Sequence, residues 1–160
     1  MSKKLVAYFS VGGNTAKIAR NLAAAAEADL YEIRPAVPYT REDLNYMDKK
    51  ARSSVEMADS ASRPALADGA ANVDAYDVIF LGFPIWWYVA PTIINTFLER
   101  YDFAGKKIVL FATSGGSGFG RTVERLRGSV ASSTVIREGK VFNGNYSVDA
   151  MRAWLDTMDL

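Results

Sequence analysis

Leu5-Val6-Ala7-Tyr8-Phe9-Ser10-Val11-Gly12-Gly13-Asn14-Thr15 decides how the chain is read. An apolar run without charge after Lys4 stops at a hydroxyl, two glycines follow, and Asn14-Thr15 opens an alanine-rich segment. This order predicts a buried strand over about 4–9, a tight turn, and a helix over about 14–28. The first turn of a helix leaves backbone N–H groups unpaired, and the helix dipole adds partial positive charge there. Such a turn suits an anion, with glycines admitting close approach and Ser10, Asn14 and Thr15 offering short polar side chains. An ordinary strand-to-helix turn with a Ser, Asn or Thr cap has the same residues, and this stretch alone leaves both readings open.

Outward from it, the chain alternates. Asp29 to Arg34 reads as a second strand, and Pro35 and Pro38 break the pattern. Thr40-Arg41-Glu42-Asp43 has the form of a helix start with an acidic first turn, predicting a helix over about 41–59. Residues 60–72 read as loop. Val78 to Gly82 is an uninterrupted apolar strand of the kind covered on both faces. A helix over 92–100 follows Pro91, then a strand over 107–112, a short helix over 122–127, a strand over 133–136 and a last helix over 148–158 with Trp154 in its core face. Five strands separated by helices predict one domain, 1–160, an α/β three-layer doubly wound sandwich on a five-stranded parallel sheet. Ligands of such sheets sit beyond the carboxyl ends of the strands, where strand order reverses.

Composition narrows the chemistry. The 160 residues carry a formal charge of +1 with both signs interspersed, which points to neither nucleic acid nor an anionic membrane. Ser2-Lys3-Lys4 leads into only a short apolar run without a small-residue cleavage pattern, so a cytoplasmic location is expected. No apolar run reaches membrane-spanning length. With no Cys and no His, disulfides, thiol nucleophiles, the usual zinc sites and a Ser-His-Asp triad are excluded. Chemistry falls to carboxylates, hydroxyls, phenols, lysines or a bound cofactor, and no metal is expected.

Two more stretches lie at strand ends. Phe83-Pro84-Ile85-Trp86-Trp87-Tyr88-Val89-Ala90-Pro91 places two tryptophans and a tyrosine in a loop, where polar residues are the rule. A flat aromatic ligand suits it, as do a satellite core cluster or a protein-contact patch. Thr113-Ser114-Gly115-Gly116-Ser117-Gly118-Phe119-Gly120 holds four glycines in eight residues. Its backbone is expected to come close to something and to offer N–H groups to a polar ring edge, unless it is simply a flexible loop. The three stretches converge in a doubly wound sheet, and that convergence is more specific than any one of them.

On these residues the chain resembles the flavodoxin-like FMN-binding family. Ser10 to Thr15 looks like the flavodoxin phosphate loop, T/S-x-T-G-N-T. Phe83 to Pro91 resembles the flavin loop F-P-x-x-W-[FY]-x-x-P of NAD(P)H:quinone reductases, and Thr113 to Gly116 is similar to their T-[TS]-G-G stretch. The resemblance implies sheet order 2-1-3-4-5 and FMN as cofactor. It implies that Ser10, Val11, Gly12, Gly13, Asn14 and Thr15 hold the phosphate. Pro84, Ile85, Trp86, Trp87 and Tyr88 would line one side of the ring, and Thr113, Ser114, Gly115, Gly116, Ser117 and Gly118 the other.

The chain departs from the family at three points. Gly12 replaces the second hydroxyl residue of the phosphate loop. Residues 83–91 hold no glycine, whereas many flavodoxins use one near N5 to flip a peptide when the flavin takes one electron; Pro84 stiffens the loop further. Electron-carrying flavodoxins are typically strongly acidic, and a charge of +1 lacks that steering field. Two functions are therefore expected in competition. One is a flavoprotein passing electrons to a redox partner protein. The other is an enzyme taking hydride from NAD(P)H for a quinone or similar small acceptor, with Tyr88 as the side chain placed to donate a proton. A monomer and a homodimer are both compatible with the sequence. Lys17 adds charge near the phosphate loop or is simply solvated.

Overall fold

A computed structural model describes residues 3–114 and 116–158. Five strands, β1 (Lys4–Tyr8), β2 (Asp29–Glu32), β3 (Val78–Pro84), β4 (Lys107–Thr113) and β5 (Val135–Val141), form one parallel sheet in the order β2-β1-β3-β4-β5. Between them run the helices α1 (Asn14–Ala26), α2 (Arg52–Ala58), α3 (Thr92–Arg100) and α4 (Thr122–Arg127), and α5 (Val148–Met158) follows β5. This is the doubly wound architecture and strand order expected.

The apolar runs are uninterrupted because both faces of the sheet are covered. Successive strand side chains point to opposite faces. Leu5, Ala7, Ile79, Leu81, Ile108 and Leu110 pack with Ile94, Phe97 and Leu126 on one side. Val6, Tyr8, Phe80, Val109 and Phe111 pack with Ile18, Leu22 and Met151 on the other. In register, Tyr8 stands opposite Gly82, and Pro84 opposite Thr113, so β1, β3 and β4 end along one rim.

Several element boundaries differ from expectation: β2 ends at Glu32 rather than Arg34 and α1 at Ala26 rather than near 28, and three others follow. The helix expected over 41–59 is two pieces: a 3-10 turn at Glu42–Leu44 and α2. The start signal at Thr40 is real, since Thr40 and Asp43 bond each other's backbone N–H reciprocally. What stops the helix is local competition. The Asn45 side chain accepts from the Met47 N–H and Asp48 from the Lys50 N–H, and these short loops take over the backbone between the pieces. The last strand is Val135–Val141, beyond the expected 133–136, because Arg137, Glu138 and Lys140 are the charges of an edge strand. Gly139 bulges out there, and a Cβ on it would lie 2.3 Å from the Leu110 carbonyl oxygen. Finally, β3 runs two residues further than expected, through Phe83 to Pro84.

Candidate functional site

Each rim segment has a local cause. After β1 the chain turns through Gly13, whose φ of 89° favours glycine, and α1 starts at Asn14. The Ser10 hydroxyl accepts from the Ala16 N–H at 3.2 Å and so ties the turn to the helix. Among the described residues, the N–H groups of Gly12, Gly13, Asn14 and Thr15 have no hydrogen-bond partner, while Lys17 N–H reaches the Gly13 carbonyl. Nothing lies within 4 Å of where a Cβ on Gly12 or Gly13 would stand. Four consecutive unpaired amides at an open helix N-terminus fit a phosphate-sized anion.

Thr15 is buried, and its hydroxyl meets that of Thr113 at 2.8 Å, joining the end of β1 to the end of β4. The Ile85 N–H donates to the Thr113 carbonyl, which joins β3 to the same point. A cleft of about 440 Å³ opens here. Asn14 and Lys17 line it from α1, Pro84, Ile85 and Trp86 from the end of β3, and Thr113 and Ser114 from the end of β4. Among the described residues Lys17 is the one charged side chain on its wall, with no carboxylate beside it.

The fourth wall is Phe142, Asn143, Gly144, Asn145 and Tyr146, which the sequence reading missed. Lys17 Nζ donates to Asn145 Oδ1 at 3.0 Å, and Asn21 Nδ2 to the Tyr146 carbonyl at 2.8 Å. The signal that would have found it is the rule already in use. Once β5 is carried to Val141, these residues fall at a carboxyl strand end like the other three.

The remaining expected site residues lie around the cleft rather than in it. Ser10 and Val11 face a separate recess beside Phe9 and Tyr39, and Gly12 and Gly13 are exposed between the two. Trp87 and Tyr88 stand out at the turn tip, Tyr88 with 70% of its surface exposed. Trp86 and Val89 exchange backbone hydrogen bonds, leaving Trp87 and Tyr88 as the two central residues of a hairpin turn, both at positive φ (49° and 66°). Type I′ turns ask for that backbone and normally fill it with Asn or Gly. Bulky residues held there are strained and need a surrounding that fixes them. Gly120 supplies part of it: a Cβ on it would lie 2.2 Å from the Tyr88 carbonyl oxygen, so the loop after β4 braces the aromatic turn.

In that second loop, Ser114 Oγ accepts from the Gly116 and Ser117 N–H groups and meets Ser117 Oγ at 2.8 Å. These amides, expected to be free, are folded onto Ser114. Gly118 is exposed, and Gly115 lies outside the described residues.

The long crossover after β2 also reaches the site. Tyr39 packs edge-on against Trp86, with ring centroids 5.6 Å apart. Arg52 stacks on Tyr39 at 3.9 Å and pairs with Glu56, to which the Tyr39 hydroxyl donates. Burial, then the bond to Glu56, pushes the Tyr39 phenol well above its ordinary pKa.

The family described as Flavodoxin matches this chain over residues 3–158. A candidate flavoprotein of Bacteroides eggerthii DSM 20697 is 47% identical, with a TM-score of 0.92 over 100% of this chain and 99% of that one. One from Bacteroides uniformis ATCC 8492 is 46% identical, with a TM-score of 0.90 over 97% and 98%. A Lactobacillus acidophilus NCFM flavoprotein crystallised in complex with FMN shares the fold at 20% identity, with a TM-score of 0.64 over 88% of this chain and 93% of that one. No curated protein matches.

Proposed function

This chain belongs to the flavodoxin family, and from that premise we propose that it binds FMN non-covalently and passes electrons through it to a redox partner. The observation that carries the reading is the row of four unpaired amides at Gly12 to Thr15, set in open space beside a cleft with an aromatic wall. FMN supplies the redox chemistry; the chain supplies binding, orientation and electrostatics.

The amides of Gly12 to Thr15 hold the phosphate, helped by the exposed Asn14 side chain and the charge of Lys17. Ser10 and Thr15 have a second task, because their hydroxyls also meet the Ala16 N–H and Thr113, while the Ser10 proton stays free for the phosphate. They fix the shape of the turn. Pro84, Ile85 and Trp86 would exclude water from the ring, and Thr113, Ser114, Gly116, Ser117 and Gly118 would border its polar edge. Gly116 and Ser117 N–H groups, held by Ser114 here, would have to leave it to bond such an edge.

A second reading is favoured by the aromatic turn. Residues 83–91 lack glycine, and Gly120 holds Tyr88 against a change of backbone. That rigidity suits two-electron chemistry, with hydride from NAD(P)H delivered to a small acceptor such as a quinone and Tyr88 or water supplying the proton. The two readings separate on FMN-loaded protein. Oxidation of NADH or NADPH that benzoquinone accelerates supports the enzyme. Silence toward both, with electron exchange to a carrier protein, supports the first reading. A colourless protein that ignores added FMN defeats both.

A further inference from the structure

Trp86 lines the cleft from the end of β3, and its ring is fixed by residues from elsewhere in the chain. Phe9, Tyr39 and Trp86 form a closed set of three edge-on contacts. Ring centroids are 5.6 Å apart for Phe9 and Tyr39, 5.8 Å for Phe9 and Trp86, and 5.6 Å for Tyr39 and Trp86. Edge-on packing sets the tilt of a ring as well as its place. The two neighbours of Trp86 are not held equally. Phe9 directly follows β1 and is 1% exposed, so the sheet fixes it. Tyr39 sits in the crossover after β2, outside any strand or helix.

Arg52 and Glu56, one turn apart on α2, supply what the loop lacks. The Arg52 guanidinium stacks on the Tyr39 ring at 3.9 Å, and its Nη1 donates at 2.7 Å to the carbonyl of Val37, just before that ring in the chain. Its Nε donates to one Glu56 oxygen at 2.9 Å, and the Tyr39 hydroxyl donates to the other. Ring, hydroxyl and nearby backbone are each held by the same pair. A lysine has no flat fork that stacks and donates at once. The two side chains are only 23% and 14% exposed. Taking charges that far out of water costs about what their attraction returns, so the pair adds little net stability. What it adds is one geometry for Tyr39, and through Tyr39 for Trp86.

We infer, on the premise of the FMN reading, that Arg52, held by Glu56, acts through Tyr39 as a positioning residue for Trp86. The aromatic wall of the cleft is then set before flavin arrives, and less ordering is left for binding to impose. Among the described residues Arg52 stacks on Tyr39 and not on Trp86, so its removal reaches Trp86 through Tyr39.

The test labels the full chain with 5-fluorotryptophan, which puts one fluorine on each of Trp86, Trp87 and Trp154; Trp86→Phe assigns the first. Without FMN, Arg52→Met is expected to shift or split the Trp86 fluorine signal. Trp154, packed on Phe142 at the opposite face of the sheet, should keep its parent signal. In a Tyr39→Leu background, Arg52→Met should add no further change. In flavin titrations, Arg52→Met and Tyr39→Leu should each weaken FMN and riboflavin by the same factor, about threefold to tenfold for one aromatic contact. The ring wall is disturbed there and the phosphate turn is not. Tyr39→Phe keeps the ring and its stack, and should bind both flavins within about twofold of the parent. A Trp86 signal unmoved by Arg52→Met, or moved as far in the Tyr39→Leu background, would overturn the inference. So would unchanged flavin affinities in both variants, or a loss confined to FMN. A parent chain that binds neither flavin while its Trp86 signal responds as expected would instead count against the cofactor reading alone.

Discussion

Thr15→Val and Thr113→Val, singly and together, test whether the ends of β1 and β4 are joined as described. Both substitutions keep the shape and remove one hydroxyl of a pair 2.8 Å apart. Thr113→Val leaves the buried Thr15 hydroxyl without a partner; at about 1–3 kcal/mol for such a group, a loss of about 2 kcal/mol is expected. Thr15→Val leaves the half-buried Thr113 hydroxyl, which water can reach, and should cost only about 1 kcal/mol. The double variant strands neither group. It should lose only the net hydrogen bond, about 1 kcal/mol, rather than the 3 kcal/mol that addition gives, a coupling of about 2 kcal/mol. Urea unfolding of the FMN-free protein reads this directly, with unchanged m-values as the sign that the unfolded state is unaffected. Additivity within about 0.3 kcal/mol would mean that the hydroxyls do not meet and that the two loops are not held at one point.

Gly13→Ala places a side chain at φ 89° and should cost about 1 kcal/mol in the FMN-free protein. Gly12→Ala, outside the left-handed region, should unfold like the parent yet bind FMN more weakly; paired urea and FMN titrations check both. Gly120→Ala drives a methyl to 2.2 Å from the Tyr88 carbonyl oxygen at φ 55° and should lose more than Gly13→Ala, at least about 2 kcal/mol by urea unfolding. In alkali, Tyr39 and Tyr31 matter, both raised first by burial and then by bonds to Glu56 and Asp68. A raised folded-state pKa gives stability that is full below the unfolded value of about 10 and is lost as pH climbs toward the folded one. Urea midpoints should therefore fall above about pH 10, less steeply in Tyr39→Phe or Tyr31→Phe.

Much of this was legible in the sequence. Strands covered on both faces leave long apolar runs, so β1, β3 and β4 stood out, and the Gly-Gly-Asn-Thr turn announced the start of α1. Elements whose residues obey two rules at once were harder. Arg137, Glu138 and Lys140 belong to a strand but look like loop because they sit at the sheet edge, and hiding that strand hid Phe142 to Tyr146. The crossover carries a sound helix cap at Thr40, yet the Asn45 and Asp48 side chains, each capturing the N–H two residues on, outcompete the helix. The packing of Tyr39 on Trp86, which brings that crossover to the site, joins residues 47 positions apart and leaves no local pattern. The strained Trp87-Tyr88 turn ran against expectation too, since turns of that backbone are read from Asn and Gly.

The central claim is that the amides of Gly12 to Thr15 hold a phosphate. Titration of FMN-free protein with FMN and with riboflavin, followed by quenching of flavin fluorescence, tests it most directly, because the two differ only in that group. Charge-assisted bonds of about 1.5–3 kcal/mol each predict FMN tighter by at least about 100-fold, a difference that Gly12→Ala narrows. Equal affinity for FMN and riboflavin would contradict the account.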